Sequence, residues 1–174
     1  QAYATTDVDG IFGGSPETYC RDLQWKCFTP VLYAMNGWSH MNKSPWSYDE
    51  PYRSIHRDYL KLKMRLTPYM YRYVREAYDT GAPIVRGMLW EFPDDRTTWD
   101  RTTQHQFLLG EWLLVAPVYT SMKVNRGWRK EDIYLPVGRW FDYWDGRRLD
   151  GPTTIDAYPL TLEKLPLLVR GGAI

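Results

Sequence analysis

The sequence is short of several things, and each absence narrows what the protein can do. Only two cysteines, Cys20 and Cys27, occur in 174 residues. They lie seven positions apart in a stretch with a helical pattern, where a rise of ~1.5 Å per residue separates them by about 10 Å. A disulfide needs Cα atoms within roughly 7 Å, so both are expected as free thiols. Two cysteines do not make a metal site by themselves, and nothing else in the chain calls for a metal or a cofactor. An excess of one charge is also missing. Lys and Arg number 22 against 21 Asp and Glu, a formal net charge of +1. That balance offers no general attraction for nucleic acid or an anionic membrane. No apolar run approaches the ~20 residues of a membrane span, and the opening QAYATTDVDG has no basic and apolar signal pattern. The compartment is left open.

What the chain has in abundance is aromatic: 16% of its residues, with 9 Trp and 14 Tyr. Such rings stack on the apolar faces of sugars, and they also fill cores. The rest of the composition, 44% hydrophobic and 25% charged, is that of an ordinary globular protein of one to two domains.

Residues 1–14 are glycine-rich around two aspartates and read as a strand end passing into a loop. Ser15 and Pro16 open a helix, a capping hydroxyl followed by a first-turn proline. That helix is expected over 16–28, with Pro30 stopping it. PVLYAM (30–35) is short and apolar throughout, which predicts a buried parallel strand. Residues 36–52 form a long loop with Trp38, Trp46 and Tyr48, and long loops inside compact domains are usually functional. Helical spacing then runs over 53–80, with Gly81 as the stop and Pro68 expected to kink or divide it. Beyond it, IVRGMLW, EWLLVAPVY, EDIYLP, RWFDYW and LPLLV are β-type runs between Gly, Pro and Asp turns. The fold class is therefore α/β followed by all-β. The first half offers only two strands, too few for a stable sheet, so its partners are expected outside this chain.

At this point the residues resemble those of glycoside hydrolase family 31. ETYCRDLQWKCFTP (17–30) is similar to a family segment with Arg, Gln, Phe and Pro at this spacing, here Arg21, Gln24, Phe28 and Pro30. DVDGIFGG (7–14) sits where the family has an Asp-x-x-Gly-Phe loop after its seventh barrel strand, and SPW (44–46) resembles its Pro-Trp element. RLTPYMYRYVREAYDTGAPIVRGMLWEFPDD (65–95), QFLLGEWLLVAPV (106–118), IYLPVGRWFDYWDG (133–146) and LPLLVRGGAI (165–174) continue the resemblance in order. It implies the last strands and helices of a (β/α)8 TIM barrel over 1–95 and the incomplete start of a C-terminal β-sandwich domain over 96–174. It implies a retaining α-glycosidase or transglycosylase, an enzyme that uses two carboxyl groups roughly 5–5.5 Å apart. In the family both lie upstream of the Asp-x-x-Gly loop. No catalytic residue is therefore expected in this chain, which alone should be inert. Its partners are expected to be a carbohydrate substrate and the rest of its own polypeptide, with no nucleic acid and no membrane span.

The resemblance points to a substrate-binding set of Asp7, Asp9, Ile11, Phe12, Tyr33, Met35 and Trp38, with no metal ligand. Asp7 matches the loop aspartate that supports the sugar site, at a strand tip where barrel active sites are built; alternatively it bonds loop amides, as Asp often does. Asp9, where the family has a small residue or Cys, either bonds a sugar hydroxyl or is a solvated turn residue. As a calcium loop, Asp-x-Asp-Gly lacks the later ligands. The family's loop aromatic falls on Ile11, with Phe12 beside it, and the Trp after its Arg falls on Asp22. Family α-glucosidases carry Arg-x-His where this chain has Tyr33 and Met35, and Met has no donor. That departure implies a non-standard glycon, of galacto or N-acetylgalactosamine type, unless Met35 is simply core. Trp38 lies on the loop at the barrel mouth and could stack on sugar. Trp46 is expected to be structural, and Trp90, Trp112, Trp140 and Trp144 to lie in core or interface. His56-Arg57-Asp58 matches a kinase triplet but lies within a helical pattern, without the glycine-rich loop. The alternatives are an α-glucosidase or transglycosylase of the same family, or a stand-alone carbohydrate-binding module, which would melt cooperatively as a soluble monomer.

Overall fold

The computed structural model describes residues 2–4, 7–37, 42–119, 129–130 and 132–173. They form two compact units, Gln1–Ile84 and Val85–Ile174.

The first unit is helical. Helix α1 spans Pro16–Lys26, and the Ser15 hydroxyl accepts from the Thr18 amide at 3.2 Å, as the cap pattern predicts. The long helical pattern resolves into two elements, α2 (Tyr52–Arg65) and α3 (Thr67–Thr80). Leu66 closes the first and opens the second. Pro68 thereby sits in the first turn of α3, where its missing N–H costs nothing, so it divides the helix without bending one. Ile55, Tyr59 and Leu62 form the buried stripe of α2, and Met70, Tyr73 and Ala77 that of α3. Gly81 ends α3 in the left-handed region at φ +78° and donates to Ala77 O at 2.9 Å. Cys20 and Cys27 are both buried, and neither is in a disulfide.

The strand expected over 30–35 is not formed. Residues 31–36 carry no ladder. A main-chain bond from Val8 N to Tyr33 O (3.0 Å) joins this run to the 7–10 segment. Val31, Tyr33 and Met35 are 44–45% exposed. Apolar composition signals a surface destined for cover, whereas a ladder needs neighbouring strands, and the described residues of this unit provide none.

The second unit is mostly antiparallel sheet. Its strands are β1 (Val85–Gly87), β2 (Phe107–Leu109), β3 (Leu113–Val115), β4 (Arg129–Lys130), β5 (Ile133–Asp142), β6 (Arg148–Ile155), β7 (Tyr158–Pro159) and β8 (Leu167–Arg170). Six of them pair in the order β1-β2-β3-β8-β5-β6, while β4 and β7 pair separately. The core gathers around Trp140, with Leu108, Leu114, Ile133, Leu135 and Leu168, and the Trp140 indole donates to Pro136 O at 2.9 Å. EDIYLP and RWFDYW, expected as separate runs, are one strand, β5, with a register shift between Leu135 and Gly138. β6 has no apolar alternation because it is an edge strand with a largely solvated face. Only Val85–Gly87 of IVRGMLW is strand; the chain then turns into α4 (Met88–Glu91), which leaves Trp90 exposed in this unit rather than in its core.

Gly81→Ala should cost about 1–2 kcal/mol through the left-handed backbone alone, since nothing lies within 4 Å of the added Cβ. Chemical denaturation of the intact polypeptide reads that cost. An unchanged midpoint would mean α3 does not need its left-handed stop.

Candidate functional site

The sequence-predicted site residues of the first unit centre on the turn at residues 7–10. Asp9 and Gly10 both adopt the left-handed region, at φ +61° and +59°. Asp, with a short polar side chain, tolerates that better than most residues. The turn is tied to α1 and to the 42–48 segment by ammonium groups. Lys26, in the last turn of α1, donates its Nζ to Asp7 O and to Asp22 Oδ2. The same Asp22 oxygen accepts the Asp9 amide at 2.5 Å. Lys43 donates to Gly10 O and, at 3.3 Å, to Asp9 O. Both lysines are buried, at 4% and 3% exposure.

Asp9 faces back into its own loop. Its Oδ2 accepts the Gly14 amide at 2.5 Å. Burial raises its carboxyl pKa above the usual value despite that bond and the nearby Lys43 charge. Asp7 differs: its Oδ1 is shielded from solvent and has no hydrogen-bond partner. The Asp7 carboxylate lies beside the Tyr33 hydroxyl and raises that phenol's pKa. Ile11 lies against Gly37, where an added Cβ would come within 3.1 Å of Ile11 Cγ2. The 7–14 loop and the 31–37 run therefore sit side by side. Asp7 meets Tyr33 and Ile11 meets Gly37 there, while Met35 and Phe12 are on the exposed surface of the same two segments. Trp38 lies outside the described residues. Among the described residues no group of three His, Cys, Asp or Glu could hold a metal ion, and no helix is long and apolar enough to cross a membrane.

The 42–48 segment is held by an aromatic cluster. Tyr19 stacks on Tyr48 with centroids 4.5 Å apart, and His56 of α2 lies 5.0 Å from Tyr19 and 5.1 Å from Tyr48. The Tyr19 hydroxyl donates to Lys43 O at 2.8 Å. Burial pushes the Tyr48 phenol up to about 12 and lowers the His56 imidazole, which is wholly buried with Nδ1 2.9 Å from Pro45 O. Trp46, expected to be structural, is exposed in this unit.

The model of the glycosyl hydrolases family 31 TIM-barrel domain matches residues 1–73, and that of the glycosyl hydrolase family 31 C-terminal domain matches residues 81–174. The chain belongs to glycoside hydrolase family 31. It is 33% identical over 179 residues to an α-xylosidase of Saccharolobus solfataricus, covering 99% of this chain and 23% of that protein. It is 36% identical over 184 residues to an isomaltosyltransferase of Sporosarcina globispora, covering 99% of this chain and 16% of that protein. A solved structure of a family-31 dextranase of Flavobacterium johnsoniae, complexed with isomaltotriose, aligns with TM-score 0.86 at 35% identity, over 97% of this chain and 20% of that one. The chain thus spans less than a quarter of the length of these relatives. Its fold is the end of the family's TIM barrel plus the beginning of the β-domain that follows.

Composition and spacing alone do not mark Lys26 and Lys43 as buried. In the sequence, Asp22 stands out only as a departure from a family Trp. Its spacing of four from Lys26 was the one available signal for the pair; Lys43 offered none.

Because the fold buries His56 neutral, its folded pKa lies below the unfolded value of ~6.5. Its contribution is then complete above that pH and falls as the pH drops from ~6.5 towards the folded pKa. Melting temperatures of the intact polypeptide and of His56→Gln, compared from pH 8 to 5, should converge below pH 6.5. A gap that stays constant over this range would show that His56 does not titrate between the two states.

Proposed function

We propose that the polypeptide carrying this chain is a retaining family-31 α-glycosidase or transglycosylase acting on α-linked glucans, with Asp7 reading a hydroxyl of the terminal sugar. The observation that carries this reading is the shielded Asp7 Oδ1 with no partner. A desolvated carboxylate oxygen is costly unless something bonds it, and a sugar hydroxyl is a donor that can do so. The two reacting carboxyls belong to sequence outside this chain, so its role is to bind and orient the substrate. The isomaltosyltransferase and the dextranase named above support glucose-containing substrates. Asp9 closes the loop through Gly14, and Tyr33 lies beside the Asp7 carboxylate on the neighbouring segment. Ile11, Phe12, Met35 and Trp38 complete the proposed glycon-binding set.

A second reading rests on Met35. It stands where family α-glucosidases have a hydroxyl-binding His, has no donor to offer, and is 45% exposed. A galacto-configured or N-acetylated glycon, whose acetyl group Met35 could cover, suits that position. The names of the relatives above carry xylose- and glucose-type substrates, so this reading stands second.

A panel of isomalto-oligosaccharides and aryl α-glucoside, α-xyloside, α-galactoside and α-N-acetylgalactosaminide separates the two readings. The first predicts highest kcat/KM on an α-glucan, a product of retained configuration, and loss of about ten- to hundredfold in Asp7→Asn, the usual worth of a charged hydrogen bond. Highest turnover of the galactoside or N-acetylgalactosaminide would establish the second. Sugar binding without turnover would leave only a carbohydrate-binding module. Met35→His should raise turnover of the simple aryl glucoside; an unchanged preference would make Met35 a packing residue.

A further inference from the structure

Lys26 is an odd residue to find almost wholly buried at the end of a helix. Its cation is expensive to bury, and an apolar side chain of similar volume would often serve stability as well or better. The helix C-terminus offsets part of that cost. What the ammonium does here is grip Asp7 O and Asp22 Oδ2 at once, while that same Asp22 oxygen accepts the amide of Asp9. One carboxylate and one ammonium thus hold the turn by a carbonyl at residue 7 and an amide at residue 9. Lys43 holds the carbonyls of residues 9 and 10 independently. The side chain fixed at the head of this turn is Asp7, whose Oδ1 is left without a partner.

We propose that Lys26, braced by Asp22, is a positioning residue for Asp7: it locks the main chain of the 7–10 turn so that the unpaired Asp7 oxygen is presented to the substrate. This rests on the role of Asp7 proposed above. Lys26 itself touches no substrate. Its charge is retained because a displacement of about 1 Å in such a group can cost on the order of a hundredfold in rate.

A double-mutant cycle in the full-length polypeptide tests it, with isomalto-oligosaccharide hydrolysis as the reaction. Lys26→Met should lower kcat/KM about ten- to hundredfold. In an Asp7→Asn background the same change should cost less than about threefold, because a residue acting through Asp7 has nothing left to position. Lys26→Arg, which keeps the cation, should retain more activity than Lys26→Met. Asp22→Asn, which keeps an acceptor for the Asp9 amide, should show the same background dependence with a smaller loss. Equal losses in both backgrounds, or full activity in Lys26→Met, would overturn the proposal. Hydrogen exchange decides the case in which the wild type turns over no α-glycoside, an outcome that defeats the function above on its own account. Faster exchange at the amides of residues 8–10 in Lys26→Met, with α2 protection unchanged, upholds the dependence of the turn on Lys26. Unchanged exchange at those amides overturns it.

Discussion

Lys26 and Lys43 each bury a cation against main-chain carbonyls of one turn, residues 7–10, and much of the first unit follows from where those cations must be. Lys26 reaches Asp7 O only if α1 ends where it does, which makes the Ser15 cap and the length of the helix part of the same constraint. Lys43 reaches Gly10 only if the 42–48 segment lies close, and the Tyr19, Tyr48 and His56 rings with the Tyr19 bond to Lys43 O hold it there. Buried cations tolerate little displacement, because an ammonium that loses its carbonyls is left desolvated and unpaired. Two residues in the left-handed region, Asp9 and Gly10, are over-determined by these contacts.

The constraint explains how a turn can present a polar side chain whose oxygen is not satisfied within its own fold. Asp9 spends its carboxylate on the loop, through Gly14 N, whereas Asp7 keeps one oxygen uncommitted. The second unit shows the same economy in another form. The Gln106 side chain bonds both the amide and the carbonyl of Tyr134 at 2.9 Å, and the Tyr158 hydroxyl meets buried Asp142 at 2.6 Å. There the buried polar groups satisfy one another, as a structural core requires.

Features set by local chemistry were legible in the sequence. Ser15-Pro16, Pro68 and Gly81 mark helix ends through capping, a missing N–H and a left-handed stop, and all three act where expected. Features set by distant partners were not. The 30–35 run is apolar as a parallel strand would be, yet a ladder depends on neighbours that composition cannot supply. β6 carries Gly151 and Pro152 and alternates no apolar residues, so it gave no strand signal, although its hairpin with β5 defines one edge of the sheet. The lysine clamps were hidden for a different reason: lysine in a sequence signals a solvated surface, and only three-dimensional proximity turned these two inward.

The most direct measurement is a crystal structure of the intact polypeptide with isomaltose or a related oligosaccharide bound. The account predicts Asp7 Oδ1 at hydrogen-bond distance from a hydroxyl of the terminal sugar, with Lys26 and Lys43 still on the carbonyls of residues 7, 9 and 10. A sugar bound without touching Asp7, or Asp7 Oδ1 bonded instead by another protein group, would contradict it.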